Sequence, residues 1–550
     1  MESTRKKGEV LMKKILSCLL ALTLTAALLA PAASAEGYTD VPADSALAGE
    51  VQKAVDYGLM NGYNANTFGY RDSMTRAQFV AVLVRMMGWK TMVPETATYY
   101  DVAPGSAWYE VIETAAAHDV TGTDPYFRPN TPITRGEMAE LLVRALGLKA
   151  VAREAEKKNS LPFSDVTDRQ GYIAVAYEIG MTKGTSATTF SPNATATRAQ
   201  AAAMLVRIYE KLSRETDFTH GFYAISSYSQ LELGQTLDAV SAGWSRMTWD
   251  GSQAKLVTTR DGGNEYYVPD SYQEVTESLE DLHLSVFMDG QSLKDMLSTA
   301  EGRTQAMRQI IQEISVSYDA IGKNPYKGVT LDFEGLRDAQ KADYTAFLKE
   351  LRQELDRLNK SLYVCVPPVL STGTYYDGYD YAAIGQLADK VILMAYDYDA
   401  RDMSDFVGGF YYQTAATAPI GQVYLALKAL TDKVDPAKVV LGFSCKNVAW
   451  QIDETGKLVS GKPMYPSTET VLKRLAQEDT ELGWSQEYQQ SYAVYTTEDG
   501  SRYFLWYQDG RSVETALRAA KLLGVTGVSI WRLGTIPMED SWSWSGLLNK

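Results

Sequence analysis

From Phe218 onward the chain alternates short apolar runs with longer stretches whose apolar positions recur every three or four residues. The runs Gly221–Ser226, Ala239–Ser245, His283–Met288, Gly328–Phe333, Leu362–Val366, Val391–Tyr396, Val439–Ser444 and Gly527–Trp531 predict eight strands. Between the fourth and fifth, Tyr344, Phe347, Leu348, Leu351, Leu355 and Leu358 fall at helical spacing, and a helix over about Val513 to Leu523 feeds the eighth. Strand–helix alternation over residues 218–550 predicts an α/β (β/α)8 TIM barrel. No glycine-rich phosphate loop supports the rival open, doubly wound sheet. The stretch from about Lys446 to Trp506, with the hairpin-like Ser491–Tyr507, predicts an insertion after the seventh strand.

The region before the barrel has a different pattern, because it repeats. Phe68, Phe127 and Phe190 each stand seven residues before a threonine, in Thr75-Arg76-Ala77-Gln78, Thr134-Arg135-Gly136-Glu137 and Thr197-Arg198-Ala199-Gln200. Ten residues after each threonine a Leu-Val-Arg triplet ends, at Arg85, Arg144 and Arg207, and the threonines are 59 and 63 residues apart. Each Thr-Arg-x-Gln/Glu predicts a capping box at the start of a helix. The helices bury stripes such as Phe79, Val80, Leu83 and Val84, so the unit is all-α. Capping accounts for the threonines and the Gln or Glu, but not for Arg76, Arg135 and Arg198, because a cation in the first turn opposes the helix macrodipole. Two readings stand: the guanidinium groups bind an acidic ligand, or they make local ion pairs.

Composition adds the compartment. Lys13 and Lys14 precede an apolar run from Ile15 to about Ala30, followed by Pro31 and Ala33-Ser34-Ala35, which predicts a cleaved secretory signal peptide over residues 1–35. Met12 is an alternative start, and Cys18 lies too early in the apolar run for a lipid anchor. Taking five Lys/Arg and two Asp/Glu of the leader from totals of 53 and 68 leaves a mature net charge of −18. So acidic a chain repels phosphates, which argues against a nucleic-acid partner, and no other apolar run is long enough to span a membrane. With only Cys365 and Cys445 after the leader, and three histidines (His118, His220, His283), no metal site and no cofactor are expected.

Candidate chemistry sits at the end of the fourth strand. Period-2 geometry puts Thr330, Asp332 and Glu334 on one face and Val329, Leu331 and Phe333 on the other. The apolar set suits the surrounding helices, so the polar set faces the barrel interior, at the strand end where barrel enzymes place their chemistry. Two inward carboxylates are costly to bury unless they share a proton or a role, and desolvation with like charge keeps one of them protonated near neutral pH. An Asp-x-Glu pair on a solvated strand would be commonplace, but the apolar flanks exclude a solvated face here.

The repeats resemble the surface-layer-homology (SLH) domain over roughly residues 37–212, divided as 36–95, 96–155 and 160–213. That resemblance implies noncovalent docking onto a secondary cell-wall polysaccharide through Arg76, Arg135 and Arg198. The first repeat departs at Tyr70, where the others have Pro129 and Pro192. Residues 218–550 resemble glycoside hydrolase family 18 in Lys327-Gly328-Val329-Thr330-Leu331-Asp332-Phe333-Glu334, Met394-Ala395-Tyr396-Asp397 and Gly527-Val528-Ser529-Ile530-Trp531-Arg532. Lys327 and Thr330 stand where the family pattern has acids. Leu505–Asp509 and Trp531–Gly534 look most like the branch of bacterial spore and cell-wall N-acetylglucosaminidases.

The resemblance implies a secreted, wall-attached glycosidase acting on β-linked N-acetylhexosamine glycans of peptidoglycan or chitin type, without a cofactor. Anomeric configuration would be retained through attack by the substrate's own 2-acetamido group. It assigns Glu334 as general acid, Asp332 as stabiliser of the acetamido group and Tyr396 as holder of its oxygen. Asp397, Met394, Trp531 and Thr330 follow as substrate-binding residues. A noncatalytic glycan-binding lectin on the same barrel is the alternative.

Overall fold

The computed structural model describes residues 37–158, 161–224, 227–261, 264–539 and 542–548. The leader expected over 1–35 and Cys18 lie outside the described residues. The chain divides into two compact units: one holds residues up to 145 with 162–168 and 176–209, the other 146–161, 169–175 and 210–550. Among the described residues no helix is long and apolar enough to cross a membrane.

The first unit is helical, and its repeats start as their sequences require. Helices α1 (Arg76–Met86), α2 (Arg135–Ala145) and α3 (Arg198–Leu212) each follow the capping threonine. Thr75, Thr134 and Thr197 each accept from the N–H three residues on, while Gln78, Glu137 and Gln200 accept from the threonine N–H in return. Upstream, Asp101 and Asp165 each accept two backbone N–H groups from the turn preceding a helix. Asp40 accepts three, the third from Tyr70, because tyrosine has the N–H that Pro129 and Pro192 lack.

The second unit is a closed parallel barrel. Its strands are β1 (Phe218–Tyr223), β2 (Ala239–Trp249), β3 (Leu282–Met288), β4 (Gly328–Phe333), β5 (Ser361–Val366), β6 (Lys390–Leu393), β7 (Val439–Ser444) and β8 (Gly527–Trp531). Each pairs in parallel with the next, and β8 closes on β1. All eight expected strands are present. Three differ in extent by more than a residue: β1 starts earlier than expected, at Phe218, with the end of its expected range (225–226) outside the described residues, β2 runs on to Trp249 rather than Ser245, and β6 stops at Leu393 rather than Tyr396. The backbone turns at that point, with Ala395 N–H donating to Leu393 O at 3.0 Å and Asp397 taking φ +59°.

Outward residues of the strands, among them Val329, Leu331 and Phe333, join the main core with the surrounding helices. Helix α4 (Lys341–Arg357) supplies Tyr344, Phe347, Leu348, Leu351 and Leu355 to that core, and the Phe347 ring stacks 5.6 Å from Phe333. Inside the barrel, Phe222, Tyr363, Cys365, Ile392 and Val440 form a separate cluster. After β7 the chain builds a four-stranded antiparallel sheet from Val448–Ile452, Glu481–Ser485, Gln490–Thr496 and Arg502–Tyr507. Its cross-strand pairing places the Ser491–Tyr507 hairpin as the sequence pattern predicts.

Candidate functional site

The tops of β3 and β4 carry the acidic residues. On β4, Thr330 is fully buried and Asp332 is 7% exposed, while Glu334 lies just past the strand and is half-buried. Glu334 N–H donates to Met288 O at 2.9 Å, which holds the end of β4 against β3. Tyr379 pins the same end from the far side, donating its hydroxyl to Phe333 O at 2.7 Å. Asp332 Oδ1 is buried without a hydrogen-bond partner among the described residues. Burial is the largest influence on its carboxyl and pushes the pKa well above the usual range, with Glu334 and then Asp289 adding like charge. The Glu334 carboxyl is also raised, by burial first and then by Asp289 and Asp397, against a lowering influence from Arg401. The site therefore favours a protonated carboxyl where water is scarce.

Tyr396 and Asp397 leave β6 toward the same mouth. A Cβ on Gly442 would stand 2.7 Å from the backbone oxygen of Leu393 and 2.8 Å from Cε1 of the Tyr396 ring that lies against β7, so glycine is required there. Burial, then Asp332, Cys365, Asp397 and Glu334, push the Tyr396 phenol far up, which keeps it a neutral hydroxyl. Asp397 is raised by burial, partly offset by Lys446, the Ser444 hydroxyl and Arg401. Met394 N–H donates to Val366 O at 3.0 Å, and its side chain packs with Trp531 against the interior cluster. Trp531 ends β8 half-buried, its ring 5.1 Å from Phe222 at 62°.

Thr330 is more deeply buried than Met394, Asp397 and Trp531. Its hydroxyl lies 2.6 Å from Ser241 in the closed interior below Asp332.

Several mouth residues were not visible to strand patterning. Asp289 follows β3 directly, and Arg246 Nη2 lies 2.9 Å from its Oδ1. The Tyr266 ring stacks 5.2 Å from Phe287, beside Asp332. Lys446 Nζ lies 3.0 Å from Asp399, whose side chain is fully buried, and so ties the loop after β6 to the loop after β7. A barrel's habit of placing chemistry just beyond its strands was the available signal for Asp289. Among the described residues no group of three or more His, Cys, Asp or Glu side chains is placed to hold a metal ion.

In the helical unit the three arginines form a ring. Arg76 Nε donates to Phe127 O at 2.8 Å, Arg135 Nε to Phe190 O at 2.9 Å and Arg198 Nε to Phe68 O at 2.9 Å. Each guanidinium also covers the ring of the phenylalanine it bonds, 4.8 to 5.0 Å from its centroid. Every repeat thus reaches into the next and the third closes on the first. Among the described residues Arg76 alone of the three forms an ion pair, with Glu137 at 2.6 Å, so the local-pair alternative holds there. Arg135 and Arg198 are 8% and 5% exposed, with burial lowering both pKa values.

Residues 238–535 match the model of glycosyl hydrolases family 18, and residues 37–80, 98–139 and 162–202 match the S-layer homology domain. The cortical fragment-lytic enzyme of Bacillus subtilis is 25% identical over 238 residues, covering 43% of this chain and 52% of that protein. The surface layer protein of Brevibacillus choshinensis is 29% identical over 156 residues, covering 27% of this chain and 14% of that protein. The spore cortex-lytic enzyme SleL of Bacillus megaterium QM B1551 aligns with a TM-score of 0.46 at 17% identity, over 59% of this chain and 72% of that one. The chain spans about half the length of the first curated relatives it matches. With more than half of its residues inside the family model and three S-layer homology repeats ahead of it, the chain belongs to glycosyl hydrolases family 18.

Proposed function

We propose that this chain is a wall-attached glycoside hydrolase that cleaves β-linked N-acetylhexosamine glycans with retention, using the substrate's own acetamido group as nucleophile. The observation that carries this reading is the Asp332–Glu334 pair at the end of β4, with both carboxyls raised by burial and like charge. A carboxyl kept protonated at the barrel mouth suits Glu334 as the acid that protonates the glycosidic oxygen, and then as the base for water. Asp332, deeper and with one unpartnered oxygen, suits the acetamido N–H and the positive charge that grows on that group. The Tyr396 hydroxyl would hold the acetamido oxygen, and Trp531 would pack under the sugar with Met394 beside it. Asp397, steadied by Lys446, would contact sugar hydroxyls. Relatives named as cortical fragment-lytic enzymes favour peptidoglycan-type glycans as the substrate.

The helical repeats would hold the enzyme at the cell surface, reached through the leader over residues 1–35. Arg135 and Arg198 would take acidic groups of a secondary wall polysaccharide, because among the described residues their guanidinium groups donate to backbone and hydroxyl oxygens, Phe190 O and Thr182 for one and Phe68 O and Asn61 O for the other, rather than to a carboxylate. Product analysis tests the reading. Wild type should release fragments with retained configuration from glycan strands of peptidoglycan or from chitooligosaccharides, and Glu334→Gln should release none while still binding them. A Glu334→Gln chain with activity within about tenfold of wild type would remove Glu334 as the acid.

A further inference from the structure

The barrel mouth holds a third carboxylate, at the top of β3. Phe287 stands opposite Asp332 and Met288 opposite Phe333 in the parallel register, and the bond from Glu334 N–H to Met288 O carries the pairing one step further. Asp289 is therefore the residue beside Glu334 where the two strands end. Leu284, Val286 and Met288 pack outward into the core, so strand alternation turns Phe287 and Asp289 toward the mouth. Asp289 is held there. Arg246 Nη2 lies 2.9 Å from its Oδ1, and Arg246 is itself placed by its register opposite Phe287 and by its guanidinium, 5.0 Å from that ring's centroid. The pair is half-exposed, at 39% and 51%, so it forms part of the rim that a glycan would meet.

The charged groups facing Glu334 come from three directions. Asp332 lies below it on β4, Asp289 beside it on β3, and Asp397 and Arg401 across from it in the loop after β6. The hydroxyls of Tyr266, Tyr379 and Tyr396 and the Cys365 thiol also sense this cluster, and each is pushed up, by burial first, so all four remain neutral. Below Asp332 the strand carries no charge, since Thr330 occupies that place. Of the carboxylates around Glu334 among the described residues, Asp289 is the one with a guanidinium bound directly to it, so its position is fixed.

We propose that Asp289, anchored by Arg246, is a positioning residue for Glu334: a fixed negative charge beside the acid that favours its protonated form until the glycosidic oxygen takes the proton. The inference rests on Glu334 being the acid. An acid is competent only below its pKa, so activity falls as pH rises through that value. Removing a neighbouring negative charge lowers the value and moves the fall to lower pH.

The test is the pH profile of kcat/KM for the full chain on N-acetylglucosamine tetramer and on glycan strands freed from peptidoglycan. Asp289→Asn should move the basic limb down by about half to one pH unit, with KM changed less than about threefold. Asp289→Glu should restore the limb. Arg246→Gln, which removes the cation that partly cancels Asp289, should move it up, and this reading survives if Asp289→Asn fails to fold. A purely structural role would lower kcat without moving either limb. An unmoved limb in Asp289→Asn, or shifts of the same sign in both charge-removing variants, overturns the inference. If Glu334→Gln is dead while the Asp289 profiles superimpose, this inference alone fails. If Glu334→Gln stays active, or wild type is inert on both substrates, the reading of Glu334 fails first.

Discussion

The hydroxyls of Thr330 and Ser241 lie 2.6 Å apart inside the closed barrel, and His220 bridges Ser241 and Ser529 with contacts of 2.7 Å on each side. The four side chains form one polar layer across the barrel, beneath the carboxylates. Hydroxyls donate or accept as required, so the layer satisfies itself around a neutral imidazole with one N–H and one bare nitrogen. Below Asp332 this barrel therefore has neutral hydrogen bonding where a third strand acid would bring charge.

Replacing Thr330 with valine should cost about 1 kcal/mol of barrel stability, because the shape is kept and one hydroxyl contact is lost. Activity should stay within about threefold of wild type, well short of the loss expected for a group in the proton-transfer machinery. Thr330→Asp should be worse for stability, since it puts a carboxylate into a layer with no cation. Chemical unfolding and turnover of the two variants check this. A hundredfold loss of turnover in Thr330→Val would return the residue to the reacting centre.

Much of the barrel was legible because its strands are short apolar runs and its helices keep their 3.6-residue period. The Asp332/Glu334 pair was legible for the same reason, since period-2 alternation sorts Val329, Leu331 and Phe333 from the polar face. What escaped was the neighbourhood. Asp289 is one residue beyond an apolar run, and its meaning comes from β4 lying beside it, a register that no local pattern carries. The early end of β6 escaped because Met394 and Ala395 prolong an apolar run through a backbone turn. The arginine ring escaped because its bonds join residues 51, 55 and 130 positions apart, whereas repeats compared one with another reveal only their likeness.

The same polar layer predicts a pH dependence of stability. Burial, and then the nearby His283, push the His220 pKa down to about 3. The unfolded chain binds a proton there near pH 6.5, while the folded chain does not bind one until far lower. Stability is therefore whole above about pH 6.5 and is lost progressively as pH falls toward 3, by a total on the order of 4 kcal/mol from this group. A His220→Gln chain should start less stable at pH 7 but lose less between pH 6.5 and 4. Equal slopes for the two proteins in unfolding experiments across that range would show that His220 is not buried in its neutral form.

Glu137 gives the anchor unit its asymmetry, and changing it should alter polymer binding. Gln78 and Gln200 fill the matching place in the other two boxes, so Glu137→Gln should still cap α2 and leave stability within about 1 kcal/mol. It should also release Arg76 from the carboxylate it pairs with and leave it, like Arg135 and Arg198, with no ion pair among the described residues. Binding of the full chain to wall sacculi that retain their anionic polymer should then tighten. Arg135→Gln or Arg198→Gln should weaken it, and the difference from wild type should shrink at high salt. Weaker binding by Glu137→Gln in a folded protein would show that the Arg76–Glu137 ion pair, rather than an uncompensated guanidinium charge, serves polymer binding.

Asp332 should trade stability against turnover, and the sign follows from its surroundings. Its carboxyl is raised by burial foremost, then by Glu334 and Asp289, so the folded chain holds a proton there over a range where the unfolded chain has released it. Such a group favours folding below the ordinary carboxylate range and opposes it as pH rises toward and beyond the folded value. At neutral pH the residue is thus a burden on the fold, and Oδ1, buried without a partner, is where that burden sits. Asparagine removes the charge and nearly keeps the shape. Asp332→Asn should therefore raise the unfolding temperature at pH 7, and the gain should shrink as pH is lowered toward 4. Turnover should fall by roughly a hundredfold or more, because a neutral amide cannot stabilise the positive charge that the acetamido group acquires. Substrate binding should change far less, since that charge is absent before the bond breaks. Thermal unfolding at the two pH values, with kcat and KM on the same preparations, would decide it. A variant that loses stability at neutral pH would make Asp332 a structural residue, and one that keeps its kcat would remove it from the chemistry.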